Sequence, residues 1–508
     1  MPNNYLLAID AGTSGVRCLV TDPEGHIVAL GHQKWQYQSP DDIAPLGKEF
    51  DARGFWHIIC DTIAQTLKNG GIGAEEIVGV SATGQREGTV FLDKVGKELY
   101  AGPNIDLRAL TEGLSIDSES GSEIYAITGH LPSFLFVPAK LKWFEKNRPE
   151  IYDKIATVLS INEWIIYRLC GQRVSQVCSA SELGLIDIGK GKWSNRLQEI
   201  LALPGGIYPE LVPAGNQVGR VAIRAAAEAG IWPGTSVAQG APDTHCGLTS
   251  MGVKEKGQVA IIAGWSAPVM MVTDRAVFDD EARIWTSCHL LSQRWLLESS
   301  TGEAGNAFNW LRETMFSQDE HSEKAVYDLM DQLALSAPLG ADGALAFIGP
   351  QVMDMSHLAL RLGGFLFPVP LSATNIKRAH LVRAALENLC FAIKANGTQL
   401  EAISGLKIEE VKLGGGLVKS RCLAQILPAV LAMPVFFSET AEVSGLGAAM
   451  CAAVGSGVYS SLEEAMTVMT PEMKVVEPER LAALEYEEYY QKWLATNKWL
   501  EKLSEETK

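Results

Sequence analysis

Short apolar runs that end in glycine alternate along this chain with longer segments in which apolar residues recur every three or four positions. The runs Leu6–Ile9 and Cys18–Thr21 predict two strands joined by a glycine turn, and residues 26–35 predict a third strand. Residues 51–71 have helical spacing and end in Gly-Gly, which predicts a helix and its stop. This alternation predicts an α/β fold with mixed sheets.

The same pattern returns in the second half of the chain. Val259–Ala263 predicts the first strand of a second hairpin, and residues 411–437 predict a strand, a glycine turn, a helix and a strand. Residues 443–457 predict a helix of small residues that can pack very close to a sheet. Residues 480–503 predict one long surface helix.

The two hairpins are also similar residue by residue. At an offset of 252 residues, eight of the fifteen positions from 8 to 22 are identical, although Asp10 has Ile262 as its counterpart. The offset is close to half of the 508-residue chain, and a single hydrophobic core stops growing at about 250–300 residues. We therefore predict two duplicated domains, residues 1–252 and 253–508, with a cleft between them. Chance similarity between two apolar hairpins is the alternative.

Composition and charge narrow the class of protein. The chain is 47% hydrophobic and 20% charged, and its net charge is −17. The charged residues are interspersed along the chain rather than grouped in long runs. This balance argues against nucleic acid or an anionic membrane as the main partner, but backbone N–H groups can still hold a phosphate. We see no signal-peptide pattern and no run of the ~18 apolar residues that a membrane helix needs. Nine cysteines without a CxxC motif favour a reducing cytoplasm over a disulfide framework or a structural zinc site.

The first candidate site is the turn "DAGTSGVR". Asp10 stands at a strand end, and Gly12, Thr13 and Ser14 follow in a tight turn. Glycine lets backbone N–H groups approach a phosphate closely, and the two hydroxyls add donors. Asp10 could hold Mg²⁺ through water, and Arg17 adds positive charge. The alternative is a plain hairpin with polar turn residues.

Two further glycine-containing stretches carry candidate residues. In "GAPDTHCGL", Asp243 follows an apolar run near a predicted helix start, where it is either a general base or a helix cap. His245 has no His or Cys at metal-ligand spacing, so a position in the core or the cleft wall is favoured. In "LGGGLVKSR", Gly414–Gly416 could let a nucleobase or phosphate lie against the backbone, or could form an ordinary strand–helix turn.

The stretches "GQREG" and "NIDLRA" supply a set of donors and acceptors at predicted strand ends. Arg86, Glu87 and Asp106 could bind adjacent hydroxyls of a polyol, with the arginine donating and the carboxylates accepting hydrogen bonds. The alternative is a solvated ion pair at the surface, which is common and weak.

Taken together and in this order, these stretches resemble the FGGY carbohydrate kinase family of the actin/Hsp70/sugar-kinase superfamily. The resemblance runs from about residue 5 to residue 459. Residues 140–147 and 380–388 fit most of the two family signatures. The chain departs from the family pattern at Trp265, where threonine is usual, and at Phe367, where glycine is usual. The resemblance implies two actin-like (ribonuclease H-like) domains with helices flanking mixed sheets.

The resemblance also implies an activity, namely phosphorylation of a sugar or polyol hydroxyl with ATP and Mg²⁺. Asp243 would then be the general base, Asp10 would organise the metal, and Arg86, Glu87 and Asp106 would bind the substrate with Asp243. The residues expected to face ATP are Gly12, Thr13, Ser14, Arg17, Gly264, Ser266, Gly302, Gly305, Gly415, Gly416 and Ser420.

The substrate is less sharply defined by the resemblance. Xylulokinases usually carry histidine at the position of Glu87, whereas "GQREG" is similar to the Gln-Arg-Glu of glycerol kinases. The segment from residue 81 to residue 109 is similar to the autoinducer-2 kinase branch, which we favour. A homodimer is one assembly that the resemblance allows. The rival class is a nucleotide-driven binding protein of the actin or Hsp70 kind, in which Arg86, Glu87 and Asp106 would have no substrate role.

Overall fold

The structure is a computed structural model that describes residues 4–317, 319, 322–356 and 362–506. The strands of its first half are β1 (Tyr5–Ala11), β2 (Gly15–Thr21), β3 (Ile27–Lys34), β4 (Ile77–Gly84), β5 (Thr89–Leu92), β6 (Glu98–Gly102), β7 (Thr157–Ser160), β8 (Val174–Ser175), β9 (Ile186–Asp187), β10 (Lys192–Trp193), β11 (Glu210–Leu211), β12 (Gln217–Arg220) and β13 (Ser236–Ala238). The helices of this half are α1 (Ala52–Gly70), α2 (Leu110–Thr128), α3 (Val137–Asn147), α4 (Pro149–Tyr152), α5 (Ile161–Cys170), α6 (Val177–Glu182), α7 (Asn195–Leu201), α8 (Ile223–Ala229) and α9 (Asp243–Ser250).

The second half has its own sheet and helices. Its strands are β14 (Val259–Ile262), β15 (Ser266–Thr273), β16 (Trp285–Cys288), β17 (Trp295–Glu303), β18 (Leu345–Phe347), β19 (Gly364–Leu366), β20 (Val411–Gly414), β21 (Val435–Ser438) and β22 (Met473–Val476). Its helices are α10 (Gly305–Met315), α11 (Glu323–Ser336), α12 (Arg378–Ser404), α13 (Arg421–Leu431), α14 (Val443–Gly455), α15 (Leu462–Met469) and α16 (Arg480–Glu506).

The two main sheets have the same topology, which confirms the predicted duplication and the α/β class. The first sheet has the strand order β3-β2-β1-β4-β13-β12, and the second has β17-β15-β14-β20-β21-β22 with β16 added at the edge beside β17. Read in this direction, the successive pairs in both sheets are antiparallel, antiparallel, parallel, parallel and antiparallel. An identical sequence of pairings in two sheets is not expected from chance similarity between two hairpins.

The hairpins that open the two sheets differ in register by one residue. Ile9 pairs with Cys18 in the first hairpin, whereas Ile261, its counterpart at the constant offset, pairs with Val269 in the second. The second turn is therefore one residue shorter. A one-residue slip changes which face a side chain points to, so Val269 joins the apolar core of the second sheet although its sequence counterpart is Arg17.

Helix α14 belongs to the second half in sequence but packs against the first sheet. Its small residues permit this approach, as predicted: a Cβ on Gly79 of β4 would lie 2.6 Å from the carbonyl oxygen of Ala452. The same helix crosses α9 so closely that a Cβ on Gly447 would lie 2.0 Å from the carbonyl oxygen of Cys246. Helix α14 therefore holds α9, which begins with Asp243, against the first sheet.

Helices α1 and α16 lie where the sequence predicts them. Helix α1 begins after its cap, Asp51, and ends at Gly71, which adopts a left-handed conformation. Helix α16 lies on the surface and buries few side chains, chiefly Tyr486, Tyr490 and Trp493. All nine cysteines are free thiols, and eight of them are buried. Within the described ranges, we find no helix that combines the length and apolarity needed to cross a membrane.

Candidate active site

The ends of β1 and β4 bring Asp10, the predicted metal-binding carboxylate, and Asp243, the predicted general base, to one edge of the first sheet. Asp10 pairs with Thr83 in the parallel ladder between these strands. The next residue of β4, Gly84, forms a bridge with Pro242, which immediately precedes Asp243. The placement of Asp243 therefore depends on hydrogen bonding to the strand beside Asp10.

Asp243 is the first residue of α9 and is half-buried. The residue at the N-cap position is Pro242, so Asp243 is not the capping residue that the alternative prediction required. The Asp243 carboxylate nevertheless accepts a hydrogen bond from the Thr244 amide at 2.7 Å. Burial and, to a smaller extent, the charge of Asp10 raise the pKa of Asp243 to about 7, against the opposing effect of Arg86. A carboxylate that titrates near neutrality is well matched to general-base catalysis.

Asp10 is buried and lies beside one cation and one anion. Arg17 Nη1 is 3.8 Å from Asp10 Oδ2, and Arg17 Nε is 3.4 Å from Glu442, at the start of α14. Burial and the charge of Glu442 raise the pKa of Asp10 to about 6, against the opposing effect of Arg17. Over the described part of the chain, no three His, Cys, Asp or Glu side chains form a metal-binding group. Mg²⁺ bound with a nucleotide needs only one or two carboxylates, and Asp10 is the one predicted to supply such a ligand.

The turn after β1 is held from its inner side. The carbonyl oxygen of Thr13 accepts hydrogen bonds from Trp35 Nε1 at 3.2 Å and from the Tyr37 hydroxyl at 2.7 Å. Gln85 donates to the same Tyr37 oxygen at 2.9 Å and to the Gly12 carbonyl at 3.4 Å. The Ser14 side chain is exposed. The turn is thus held by hydrogen bonds to the carbonyl oxygens of Gly12 and Thr13. Its opposite side, where Ser14 is exposed, is accessible to a ligand.

Three glycines predicted to face ATP lie against one another at the second hairpin. The amide of Gly305 donates to the carbonyl oxygen of Gly264 at 3.1 Å, and a Cβ on Gly305 would lie 2.4 Å from that oxygen. Gly415 has a φ of 92°, and a Cβ there would lie 2.7 Å from the carbonyl oxygen of Ala263. Gly416 is exposed, and a Cβ there would meet no atom within 4 Å. The sequence motifs around these glycines therefore meet at one place in the fold.

The remaining predicted ATP residues have other contacts, and their roles stay predictions. Ser420 caps α13 by accepting from the Leu423 amide at 3.0 Å, and it donates to Asp331 at 2.5 Å. Gly302 lines a cavity of about 530 Å³ together with Trp310 and residues of α16. Ser266 is half-buried, and its carbonyl oxygen accepts from the Gly264 amide at 2.9 Å within the hairpin.

Arg86 lies at the centre of a buried polar cluster next to Asp243. Its two Nη atoms both donate to the carboxylate of Glu298 on β17, with Nη2 at 2.9 Å from Oε1. Nη1 is 3.4 Å from Glu182, and Nε is 3.7 Å from Glu87. The guanidinium carbon lies 5.6 Å from the centre of the Trp285 ring. Arg86 is therefore a buried ion-paired group, which excludes the alternative of a solvated surface pair.

Glu87 combines an unusual backbone conformation with an unsatisfied side chain. Its φ is 56°, a left-handed value that is uncommon outside glycine and is often found at functional sites. Its Oε1 is buried and has no hydrogen-bond partner in the part of the chain that the structure describes. Burial raises the pKa of Glu87 to about 8, Arg86 opposes this shift, and the neighbouring carboxylates of Glu182 and Glu298 add to it. This side chain is free to hydrogen-bond to a ligand.

Asp106 is not brought into this cluster. It is fully buried, and its carboxylate accepts hydrogen bonds from the Lys48 amide at 2.9 Å, from Arg108 Nε at 2.7 Å and from the Tyr100 hydroxyl. Lys140 links the two regions, since its ammonium donates to the backbone carbonyl of Glu87 at 3.3 Å. Direct contact between Asp106 and a substrate stays a prediction, because both of its oxygens already have donors.

Sequence reasoning missed four residues that complete the cluster, namely His130, Glu182, Ser287 and Glu298. It predicted His245 correctly as a residue of the core or cleft wall, since that side chain is buried. Glu182 accepts from the Ser287 hydroxyl at 2.7 Å, and His130 Nε2 lies 3.2 Å from the same hydroxyl. His245 Nε2 is 3.6 Å from Glu182, and burial lowers the pKa of His245 to about 4. The available signal was a glutamate at a fully buried position of an apolar strand, namely Glu298 in "WLLESSTGE".

Comparison with known proteins assigns the chain to a family. Residues 5–250 match the model for the N-terminal domain of the FGGY family of carbohydrate kinases, and residues 259–456 match the model for its C-terminal domain. The chain belongs to the FGGY family of carbohydrate kinases. It is accordingly an enzyme of the sugar kinase class, and the resemblance inferred from its motifs is confirmed.

Individual members of the FGGY family are similar to this chain over nearly its whole length. The autoinducer-2 kinase of Enterobacter sp. (strain 638) is 28% identical over 471 residues, which cover 90% of this chain and 87% of that protein. The crystal structure of xylulose kinase from Rhodospirillum rubrum is 26% identical with a TM-score of 0.83, covering 99% of this chain and 100% of the other. The gluconate kinase of Lactobacillus acidophilus, 19% identical, covers 98% of each chain with a TM-score of 0.83, which shows a shared fold.

Proposed function

We propose that this FGGY kinase transfers the terminal phosphoryl group of ATP to a hydroxyl of a small sugar, polyol or hydroxylated carbonyl compound, with a substrate of the autoinducer-2 kinase type as the first candidate. The observation that carries the proposal is the convergence of Asp10 and Asp243 at one edge of the first sheet, beside the Arg86–Glu87 cluster. The 28% identity to autoinducer-2 kinases over 90% of the chain supports the substrate choice.

The roles follow from the chemistry of phosphoryl transfer, which depends mainly on positioning and on neutralising charge. Asp243 accepts the proton of the reacting hydroxyl, because its carboxylate is half-buried and titrates near neutrality. Glu87 binds a neighbouring hydroxyl through its free oxygen. The turns that contain Gly12 and Gly264 hold the phosphates. Asp10 orients Mg²⁺, which supplies neutralisation of phosphate charge when it is bound.

Phosphorylation of xylulose is the second candidate. Its support is the match to the xylulose kinase from Rhodospirillum rubrum, which extends over 99% of this chain at 26% identity. The glutamate at position 87 argues the other way, since the resemblance places histidine there in xylulokinases.

A coupled assay of ADP release tests the proposal with autoinducer-2, xylulose, glycerol and a panel of other short polyols and ketoses. We expect ATP consumption to depend on one of these compounds and to saturate with its concentration. ATP consumption that is the same with and without every compound would support the rival class of nucleotide-driven binding proteins and would overturn the proposal.

A further inference from the structure

Arg86, the cation whose charge acts on Asp243, is outnumbered by carboxyl groups that come from three different parts of the fold. Arg86 lies within ion-pair distance of Glu87 next to it, of Glu182 at the end of α6 and of Glu298 on β17. Asp243 adds a further carboxylate, since its charge acts on Glu87. The substrate side of the site therefore holds more carboxyl groups than cations.

The other polar groups around the cluster do not reverse this balance. His130 and His245 are buried, and burial lowers the pKa of each, so both are neutral at pH 7. Lys140 is fully buried, and its ammonium faces the backbone carbonyl of Glu87 rather than a side-chain carboxylate. Arg108, beyond Lys140, is already paired with Asp106 and Glu49.

The geometry of Arg86 also leaves it little capacity for an anionic ligand. Arginine ordinarily binds a carboxylate or phosphate through a fork of two parallel N–H groups. In this protein the two Nη atoms of Arg86 already hold the Glu298 carboxylate, and one of them also faces Glu182. One face of the guanidinium is covered by Trp285. The groups left for a ligand are Oε1 of Glu87, which accepts no hydrogen bond from the described residues, and the Asp243 carboxylate, and both suit hydroxyl groups.

We propose that Glu298 sets the substrate class of this kinase, because it occupies Arg86 and so restricts the site to uncharged sugars, polyols and carbonyl compounds while excluding aldonic and uronic acids. The inference deepens the proposed function and rests on it. Glu298 acts through Arg86 and is therefore a specificity-determining residue that positions another side chain. It lies on a strand of the second half, whereas Arg86 and Asp243 belong to the first.

The test compares each neutral substrate with an aldonate of the same chain length, in wild type and in the Glu298→Gln variant. Glutamine keeps the shape of the side chain but removes its charge and leaves Arg86 able to pair with a ligand carboxylate. For wild type, we expect kcat/KM for aldonates to be at least about a hundredfold below that for the neutral substrate. This difference corresponds to about 2.8 kcal/mol, at 1.4 kcal/mol for each tenfold. In Glu298→Gln, we expect this ratio to shift toward the aldonate by tenfold or more, with a matching gain in aldonate affinity by calorimetry.

Glu387→Gln is a matched control. Glu387 is also buried and pairs with an arginine, Arg383, at 2.9 Å, but on α12 outside the cluster. It therefore tests for loss of a buried ion pair as such, and we expect it to leave the ratio of neutral to acidic substrates unchanged. If Glu298→Gln does not fold, as judged by its thermal unfolding, Glu182→Gln removes a second carboxylate from Arg86 and is expected to shift the ratio in the same direction.

The outcomes separate this inference from the proposed function. A wild-type enzyme that phosphorylates neutral sugars and aldonates equally well overturns the inference and leaves the proposed function intact. The same holds if wild type is selective but neither Glu298→Gln nor Glu182→Gln changes the ratio. Absence of phosphorylation with every neutral and acidic compound overturns the proposed function itself, and the inference with it.

Discussion

Asp10 and Ile262 occupy equivalent positions at the ends of the central strands of the two sheets. Asp10 pairs with Thr83 on β4, and Ile262 pairs with Gly414 on β20, the strand that corresponds to β4. The Ile262 side chain packs against α9, where a Cβ on Gly247 would lie 2.8 Å from its Cδ1. One copy of the hairpin therefore presents a carboxylate at its strand end, and the other fills the same place with an apolar contact to the helix that begins with Asp243.

Replacing Asp243 tests its role as the general base. Asp243→Asn should lower turnover by roughly 10²–10⁴, the usual contribution of a general base, while substrate and ATP affinity stay within a few-fold of wild type. Steady-state kinetics together with calorimetric binding measure both effects. Asp274→Asn, which changes an exposed aspartate that pairs with Lys256 at the surface, serves as the control. A variant at position 243 that keeps more than about a third of wild-type turnover would contradict the assignment.

The pH dependence of the reaction should report the same residue. Because burial and Asp10 raise the pKa of Asp243 to about 7, the carboxylate is largely protonated, and so inactive as a base, below that pH. We expect kcat/KM for the sugar to increase about tenfold per pH unit below pH 7 and to level off above it. Initial rates from pH 5 to 9 at constant ionic strength give the profile. A profile that is flat between pH 5 and 7 would show that Asp243 is not the group that must lose a proton.

Glu87 should distinguish the sugar side of the site from the ATP side. Removing the partner of a buried hydrogen-bonding group costs about 1–3 kcal/mol, so Glu87→Ala should raise the sugar KM by roughly five- to a hundredfold with little change in the ATP KM. Since the pKa of Glu87 is raised to about 8, its side chain is largely neutral at pH 7, and Glu87→Gln should be much less damaging there than Glu87→Ala. Equal changes in both KM values would argue against a role in sugar binding.

The stability of the protein should depend on pH through the same buried carboxylates. The folded-state pKa values of Glu87 and Asp243, about 8 and about 7, lie above their ordinary values, so the folded state binds more protons than the unfolded state between about pH 4 and 8. The contribution of these two groups to the free energy of unfolding therefore falls as pH rises through this window. Chemical denaturation at pH 5 and pH 8 should show a smaller decrease for Glu87→Gln than for wild type. An equal decrease in both proteins would contradict the raised pKa of Glu87.

Much of the fold could be predicted because it depends on local patterns. The strand–turn–strand repeat predicted the duplication, and the small residues of α14 predicted close packing against a sheet. Where the second hairpin meets Gly305 and Gly415, both glycines are required, since a Cβ on either would lie within 3 Å of a backbone oxygen.

The polar cluster around Arg86 could not be predicted in the same way. Arg86 is separated from Glu298 by more than 200 residues, and no local pattern indicates which buried glutamate meets which arginine. Asp106 is the opposite case. Its sequence motif suggested that it binds the substrate, but in the fold its carboxylate already accepts hydrogen bonds from Lys48, Tyr100 and Arg108. In both cases tertiary packing determines which residues pair with the side chain, and a sequence motif contains no information about that packing.

The second hairpin should face the phosphates even though it lacks a carboxylate. Ile262→Asp would place a charge in a buried apolar cluster near the triphosphate, so we expect weaker binding of Mg²⁺–ATP from like-charge repulsion and desolvation. Ile262→Val, which keeps the site apolar, controls for the loss of packing, and thermal unfolding measures the stability of each variant.

Ser266→Ala should lower turnover more than it changes sugar affinity, because the hydroxyl is expected to contact the transferred phosphate. If ATP affinity is the same in Ile262→Asp and Ile262→Val, and turnover is unchanged in Ser266→Ala, then the hairpin has only a structural role.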